Sequence, residues 1–139
     1  MLIETRDFGQ IEIDSREIIN FEEPIYGFEG LKKFTLLSDS EIGDCFLWLQ
    51  SVEEKNCCFI LIDPKVLPLT YNPKLPEHSI KALQLTDDNT VLRVIAVVPD
   101  EFSKATVNLK CPVVINREKK LAGQVMLEDD FPISATLLA

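Results

Sequence analysis

An all-β fold, mainly antiparallel and barrel-like, with about eight to ten short strands and one short helix, is what this chain predicts. Three observations carry that reading. Apolar runs are short and bounded by turn residues, as in Phe46 to Ser51 and Cys57 to Ile62 on either side of the polar Val52 to Asn56. The last third is rich in β-branched residues, from Thr90 to Val98 and again from Pro112 to Asn116. Only one stretch, Pro76 to Leu85, carries helix signals.

Leu2 to Arg6 and Gln10 to Asp14 flank Asp7-Phe8-Gly9, a hairpin in which Gly9 supplies the positive φ. Ile11 and Ile13 alternate with Glu12 and Asp14, the pattern of a half-buried strand. Ser15 to Ile19 reads equally as a helical turn or a strand entry. Phe21 to Gly30 holds Pro24, Gly27 and Gly30 within an aromatic stretch. It reads as an ordered loop pinned by Phe21, Tyr26 and Phe28, because proline and glycine oppose a regular element. Lys33 to Leu37 is a strand, and Ser38 to Asp44 a polar turn.

Asp63-Pro64 ends the hairpin that Phe46 to Ile62 forms. Four prolines, Pro64, Pro68, Pro73 and Pro76, make the next stretch irregular. Its Val66, Leu67, Leu69, Tyr71 and Leu75 are too apolar for a solvated linker, so no domain boundary is placed there. In the helix, Pro76 suits the first turn, Glu77 suits the positive end of the dipole, and Ile80, Leu83 and Gln84 lie on one face. Thr86 to Asn89 stops it. Lys104 to Leu109 and Leu121 to Leu127 are further strands. Arg117 to Lys120 and Glu128 to Asp130 are charged turns. The tail from Phe131 to Ala139 either closes the core or offers a docking edge, and apolar strand residues usually lie inside.

The 139 residues suit one domain, residues 1–139, large enough to bury a core without disulfide or metal. Composition is that of a globular chain, 46% hydrophobic and 27% charged. Fourteen Lys and Arg face 23 Asp and Glu, a net charge of −9, with a pI near 4.6. That balance disfavours nucleic-acid phosphates and anionic membranes, and favours a basic protein partner. An acid at Glu4 and no apolar core segment argue against a signal peptide. Apolar runs such as Val94 to Val98 are far short of a membrane span. A cytoplasmic protein is expected.

Catalytic chemistry finds little support. His78 is the single histidine, and Cys45, Cys57, Cys58 and Cys111 show no C-x-x-C spacing. The cysteines read as small hydrophobes of a reducing compartment, not as metal ligands. The acid pairs Glu22-Glu23, Glu53-Glu54, Asp87-Asp88 and Asp129-Asp130 read as solvated turn acids rather than carboxylate dyads. No phosphate-binding glycine loop or nucleophile-elbow motif occurs. No enzyme, cofactor or metal is expected. The candidate contact residues for a protein partner are Glu22, Glu23, Asp129, Asp130 and Phe131.

Three segments resemble the bacterial flagellar assembly factor FliW family. The first is Phe21-Glu22-Glu23-Pro24-Ile25-Tyr26-Gly27-Phe28-Glu29 with Phe34-Thr35-Leu36-Leu37 after it. The second is Leu47-Trp48-Leu49-Gln50-Ser51-Val52-Glu53, followed by Phe59 to Pro64. The third is Thr106 to Asn116, ending Pro112-Val113-Val114-Ile115-Asn116, with Gln124 shortly after. The likeness runs along essentially the whole chain. It implies one cytoplasmic β-barrel domain that binds CsrA, an RNA-binding translational repressor, and flagellin. Flagellin held back in the cell would occupy the protein. Once released, the protein would antagonise CsrA noncompetitively, away from the RNA surface. The resemblance also implies a monomer when free and two chains per CsrA dimer. Within the family pattern, Gln50, Asn108 and Asn116 read as residues that satisfy backbone groups. Cys57-Cys58 departs from that pattern, in which ordinary hydrophobes stand there. The competing reading is a generic acidic adaptor with a different basic partner.

Overall fold

A computed structural model describes residues 1–137; Leu138 and Ala139, the end of the predicted apolar tail, lie outside the described residues. Eleven strands and one α-helix occur among the described residues, so the predicted eight to ten strands undercount by the shortest pairings. They are β1 (Leu2–Glu4), β2 (Gln10–Glu12), β3 (Ile19–Glu23), β4 (Lys33–Asp39), β5 (Gly43–Ser51), β6 (Cys58–Ile62), α1 (Glu77–Ala82), β7 (Thr90–Val97), β8 (Thr106–Val107), β9 (Val113–Asn116), β10 (Leu121–Gln124) and β11 (Ala135–Thr136). Strands β3-β4-β5-β6-β7 run in sequence order. β10 then pairs with β3 and β9, and β9 pairs back onto β7, closing a barrel. Closure removes the sheet edges that would otherwise be open to another chain. β8 and β11 branch from β7, while β1 and β2 form a separate hairpin.

All pairings are antiparallel except β3 with β10, which sets Phe21 opposite Ala122 and Glu23 opposite Gly123. This contact corrects the reading of Phe21 to Gly30 as loop from its first residue. Phe21, Glu22 and Glu23 are strand, and the loop begins at Pro24. Its pins also differ. Phe21 and Ile25 are buried, but Tyr26 and Phe28 are exposed. Gly27 takes φ +87°, a conformation glycine reaches without steric cost.

Side chains alternate across the barrel wall, as the two-residue period demands. The interior holds Phe21, Ile25, Phe34, Leu49, Leu61, Val113 and Ile115. Phe21 and Phe34 stack at 5.0 Å. Fully burying a side chain such as Phe34 stabilises the fold by roughly 1.5–3 kcal/mol. Two satellite cores cover the outside. Ile62, Val94, Val107, Leu109 and Leu137 form one, with Phe131 and Ala135 packed against it, so these tail residues close the core as expected while Ile133 between them stays exposed. Leu83, Val114 and Val125 form the other, under α1.

The helix face differs from the prediction in part: Leu83, at the C-terminal end of α1, is fully buried as expected, but Ile80 is not. Within α1 the buried residue is Ser79, and Ile80 is exposed. Six residues are fewer than two turns, too few for an apolar stripe to define a face. The ambiguous Ser15 to Ile19 segment is both things proposed: a 3₁₀ turn at Ser15–Glu17, capped by the Asp14 carboxylate, and then the start of β3. Gly9 takes the predicted positive φ, +68°, between β1 and β2. Phe8 at that hairpin's tip meets Trp48 edge-on at 5.1 Å, which lays the hairpin on the outer barrel wall. No helix among the described residues is long and apolar enough to cross a membrane.

Candidate protein-interaction surfaces

Of the predicted contact acids, Glu23 and Asp129 lie at the first turn of α1, with Asp130 next to Asp129 in sequence. Glu22 is exposed on β3. Glu23, beside it, is half-buried, and the Ser79 hydroxyl donates to its Oε2 at 3.2 Å. His78 Nε2 stands 4.0 Å from the same oxygen, while Glu23 Oε1 is buried without a hydrogen-bond partner among the described residues. Glu22-Glu23 is therefore no solvated turn pair, since the β3–β10 pairing draws it into a strand. Asp129 and Glu128 line a cleft of about 460 Å³ against Lys74, Glu77 and His78. Asp130 is exposed next to it. His78 lines this cleft as well as facing Glu23, so it links Glu23 to the 128–130 turn, while Glu22 stands exposed on β3 beside Glu23. The result is one acidic corner built from three separate segments.

Phe131 is not a free contact. Its ring meets Tyr71 edge-on at 4.9 Å and packs against the satellite core. The Tyr71 hydroxyl in turn donates to the Leu109 carbonyl at 2.6 Å. Burial pushes the Tyr71 phenol well above its ordinary range. Phe131 thus anchors the acidic turn rather than presenting itself.

A second surface was not foreseen from sequence. One end of the barrel opens into an apolar cleft of about 480 Å³, bounded by Tyr26, Val97, Met126 and Ile133. These four large side chains are 51%, 65%, 53% and 66% exposed, which on one rim makes a patch rather than scattered surface hydrophobes. Interior residues Ile25, Phe59 and Ile95 form its floor. The available signals were Tyr26 in its glycine-rich loop and Met126 at an outward position in the Leu121 to Leu127 run.

The polar residues at this mouth are structural. Gln124 Oε1 accepts the Tyr26 backbone N–H at 2.9 Å, and its Nε2 donates to the Cys111 carbonyl at 3.2 Å. Asn108 Oδ1 accepts the Cys111 N–H at 2.9 Å. Elsewhere Asn116 donates to the Leu83 and Gln84 carbonyls and accepts from the Glu118 and Lys119 amides, tying the end of α1 to the turn after β9. Gln50, fully buried under the β1–β2 hairpin, accepts the Arg6 N–H and donates to the Ser51, Lys55 and Cys57 carbonyls. Ser51 Oγ accepts the Glu53 and Glu54 amides. Glu53 Oε1 accepts the Lys32 and Lys33 amides, each at 2.8 Å, and these bonds hold its carboxyl below the usual range. Glu53 is therefore a tether and not a free turn acid. Each of these side chains satisfies backbone groups, as polar residues in strands and tight turns must.

The cysteines are all reduced. Cys57, Cys58 and Cys111 are buried, and Cys45 is exposed. Burial raises the Cys58 thiol to about 11 and shifts Cys57 and Cys111 upward as well. A thiol held protonated is a poor nucleophile. Among the described residues no group of three or more His, Cys, Asp or Glu side chains is placed to hold a metal ion.

Known proteins match this chain along its length. The family described as "FliW protein" matches residues 2–137. The flagellar assembly factor FliW of Thermoanaerobacter pseudethanolicus is 40% identical over 131 residues, covering 94% of this chain and 87% of that protein. Its counterpart in Syntrophus aciditrophicus is 39% identical over 140 residues, covering 99% and 88%. A crystal structure of the flagellar assembly factor FliW superposes with a TM-score of 0.92 at 36% identity, covering 100% of this chain and 98% of that one. Barrel, motif residues and full-length similarity agree, and the chain belongs to the FliW family.

Proposed function

We propose that this protein is a flagellar assembly factor that works by partner switching between flagellin and the translational repressor CsrA. It acts by binding alone, in the cytoplasm, as a monomer when free and as two chains per CsrA dimer when engaged. When flagellin is exported, the freed protein takes CsrA and lifts its repression noncompetitively. When flagellin accumulates, it holds the protein and CsrA stays on its RNA.

The observation that carries this reading, beside family membership, is the presence of two chemically different surfaces on one barrel. The acidic corner of Glu23, Glu128, Asp129 and Asp130, with Glu22 exposed on the same strand as Glu23, suits a protein that is basic where it holds RNA. The apolar mouth at Tyr26, Val97, Met126 and Ile133 has another chemistry and is the surface left for flagellin. Negative charge docked beside CsrA also repels RNA phosphates, a field screened beyond about 8–10 Å at physiological salt.

The test is a calorimetric titration of the protein with CsrA from the same organism, repeated with flagellin already bound. Binding that flagellin abolishes supports the switch. Binding to CsrA that flagellin leaves unchanged removes the switch but keeps the antagonist. Binding to neither overturns the proposal and returns the chain to the class of generic acidic adaptors.

A further inference from the structure

The hairpin of β5 and β6 is apolar on both of its faces. Leu47, Leu49, Phe59 and Leu61 belong to the barrel interior. Phe46, Trp48, Ile60 and Ile62 alternate with them and so stand on the outer wall, where Trp48 pairs in register with Ile60. A sheet face left to water is ordinarily polar, and a strand apolar on both sides has two surfaces to cover. At Ile62 the satellite core of Val94, Leu109 and Leu137 covers the outer face. Phe8 touches Trp48. A cleft of about 340 Å³ remains, lined by Ile42, Phe46, Trp48, Ile60 and Val98, every one apolar. We propose that it docks an amphipathic segment of a protein partner, one whose apolar face is flanked by lysines or arginines.

The lining argues for a protein segment. Ile42, in the turn between β4 and β5, and Val98, just past the end of β7, are exposed. Phe46, Trp48 and Ile60 are half-buried between them. Apolar side chains contiguous on one wall mark a binding surface, whereas single exposed ones do not. A small-molecule pocket adds a few polar groups that orient its ligand, and this lining has none. Trp48, with Phe8 against one edge of its ring, is a large and already restricted side chain. Such a residue loses little freedom when a partner covers it, and tryptophans recur as anchors of protein interfaces.

The acids beside the cleft set the sign of the partner's charge. Glu41 immediately precedes Ile42. Asp39 pairs in register with Gly43 at the same hairpin tip, and its Oδ1 accepts the Glu41 N–H at 2.9 Å. Asp44 lies two residues before Phe46 and so on the same side of β5. Asp100 is exposed two residues after Val98. No salt bridge among the described residues engages any of these acids. A second copy of this chain would bring the same acids against them, and an anionic membrane would be repelled in the same way. A segment with cations around an apolar face answers both halves of the surface. None of the five lining residues lines the apolar mouth or the cleft beside α1, so this is a third surface and does not depend on the partner switch.

Trp48 is the chain's single tryptophan, so its fluorescence reads occupancy of the cleft directly. The probe is the tryptophan-free amphipathic peptide acetyl-LKKLLKLLKKLLKL-amide, titrated into the full chain, with the same peptide carrying glutamate for every lysine as control. A saturable blue shift of Trp48 is expected from the lysine peptide, together with NMR shifts in the ¹⁵N-labelled chain centred on residues 41–48, 60 and 98. The glutamate peptide should bind at least about tenfold more weakly. Ile42→Ser with Val98→Ser, both at exposed sites, should weaken the lysine peptide about tenfold and leave the denaturation midpoint in place. Glu41→Gln with Asp44→Asn should weaken it about threefold and keeps the test alive if the serine variant is poorly folded. Four results overturn the proposal: no saturable change up to about 100 µM peptide, equal binding of the two peptides, binding that the Ile42 and Val98 substitutions leave untouched, or self-association of the free chain through this cleft.

Discussion

Gly123 presses against Glu23 across the parallel β3–β10 pairing, and a Cβ built on Gly123 would fall 2.7 Å from the Glu23 Cβ. That is closer than real Cβ atoms come, and the obstacle is the root of a side chain, not its flexible end. Gly123→Ala should therefore force β10 off β3. Overpacking of this kind costs about 1–3 kcal/mol. Urea denaturation should show the midpoint fall at unchanged slope. Full retention of stability would mean that the two strands do not approach this closely in solution.

Gln124 couples the loop at the apolar mouth to the strand beneath it. Gln124→Leu leaves the Tyr26 N–H and the Cys111 carbonyl unpaired. A buried group without its partner costs about 1–3 kcal/mol. Amide hydrogen exchange should accelerate at Tyr26 to Phe28 more than in β4 or β5. Flagellin binding should weaken with it if the mouth is the flagellin surface, while CsrA binding stays.

Glu53 gives a pH signature. Its carboxyl lies below its unfolded value because two backbone amides bind the charged form. A lowered carboxyl contributes stability above its unfolded pKa and loses it as pH falls through the folded one. The tether is largely exposed, so Glu53→Gln should cost under about 1 kcal/mol at neutral pH. The difference between variant and parent should shrink as pH falls through the acid range, read from denaturation midpoints. A difference that did not change with pH would assign the tether to hydrogen-bond geometry rather than charge.

Much of this architecture is legible in the sequence, and what is not has physical causes. The hairpin from Phe46 to Ile62 and the strand from Thr90 follow from local period and turn residues, and the structure has both. β3 is missed at Phe21 to Glu23 because its partner, β10, lies about a hundred residues away, and no local signal specifies a parallel pairing at that distance. Ser79 is missed as the buried face of α1 because its role is to come close and donate to Glu23. The acids were recognisable as surface chemistry, but the approach of Glu23 and Asp129 to His78 needed the fold. The apolar mouth was hidden for the same reason, as Tyr26, Val97, Met126 and Ile133 belong to four separate segments.

Thiol reactivity should sort the cysteines sharply. Cys45 is exposed, whereas Cys58 is raised to about 11 by burial. At pH 8 about one Cys58 in a thousand is thiolate in the folded state. A disulfide-exchange reagent should therefore modify one thiol quickly and the other three only on unfolding. The same shift has a consequence for stability. A thiol whose folded pKa exceeds its unfolded value leaves stability intact below the unfolded value, near 9, and lowers it as pH rises toward 11. Cys58→Ala should flatten that alkaline decline. Rapid modification of more than one thiol in the native protein would contradict the burial of the other three.

Neutralising the acidic corner separates docking from field effects. The variant Glu22→Gln, Asp129→Asn, Asp130→Asn removes three exposed charges, and Glu23→Gln adds a half-buried one that holds Ser79. Rim charges act mainly on association rate and its salt dependence. On the proposed binding of CsrA, the triple variant should show an association rate lowered about tenfold at low salt, and a shallower salt slope. Its power to keep RNA off CsrA should fall further than its affinity for CsrA, because repulsion of phosphate needs the charge and docking needs the shape. Adding Glu23→Gln should cost stability as well, through the Ser79 contact, and chemical denaturation distinguishes that loss from a binding defect. If RNA displacement were unchanged in the triple variant, the antagonism would owe nothing to these acids, and the contact surface for CsrA would have to be sought elsewhere on the barrel.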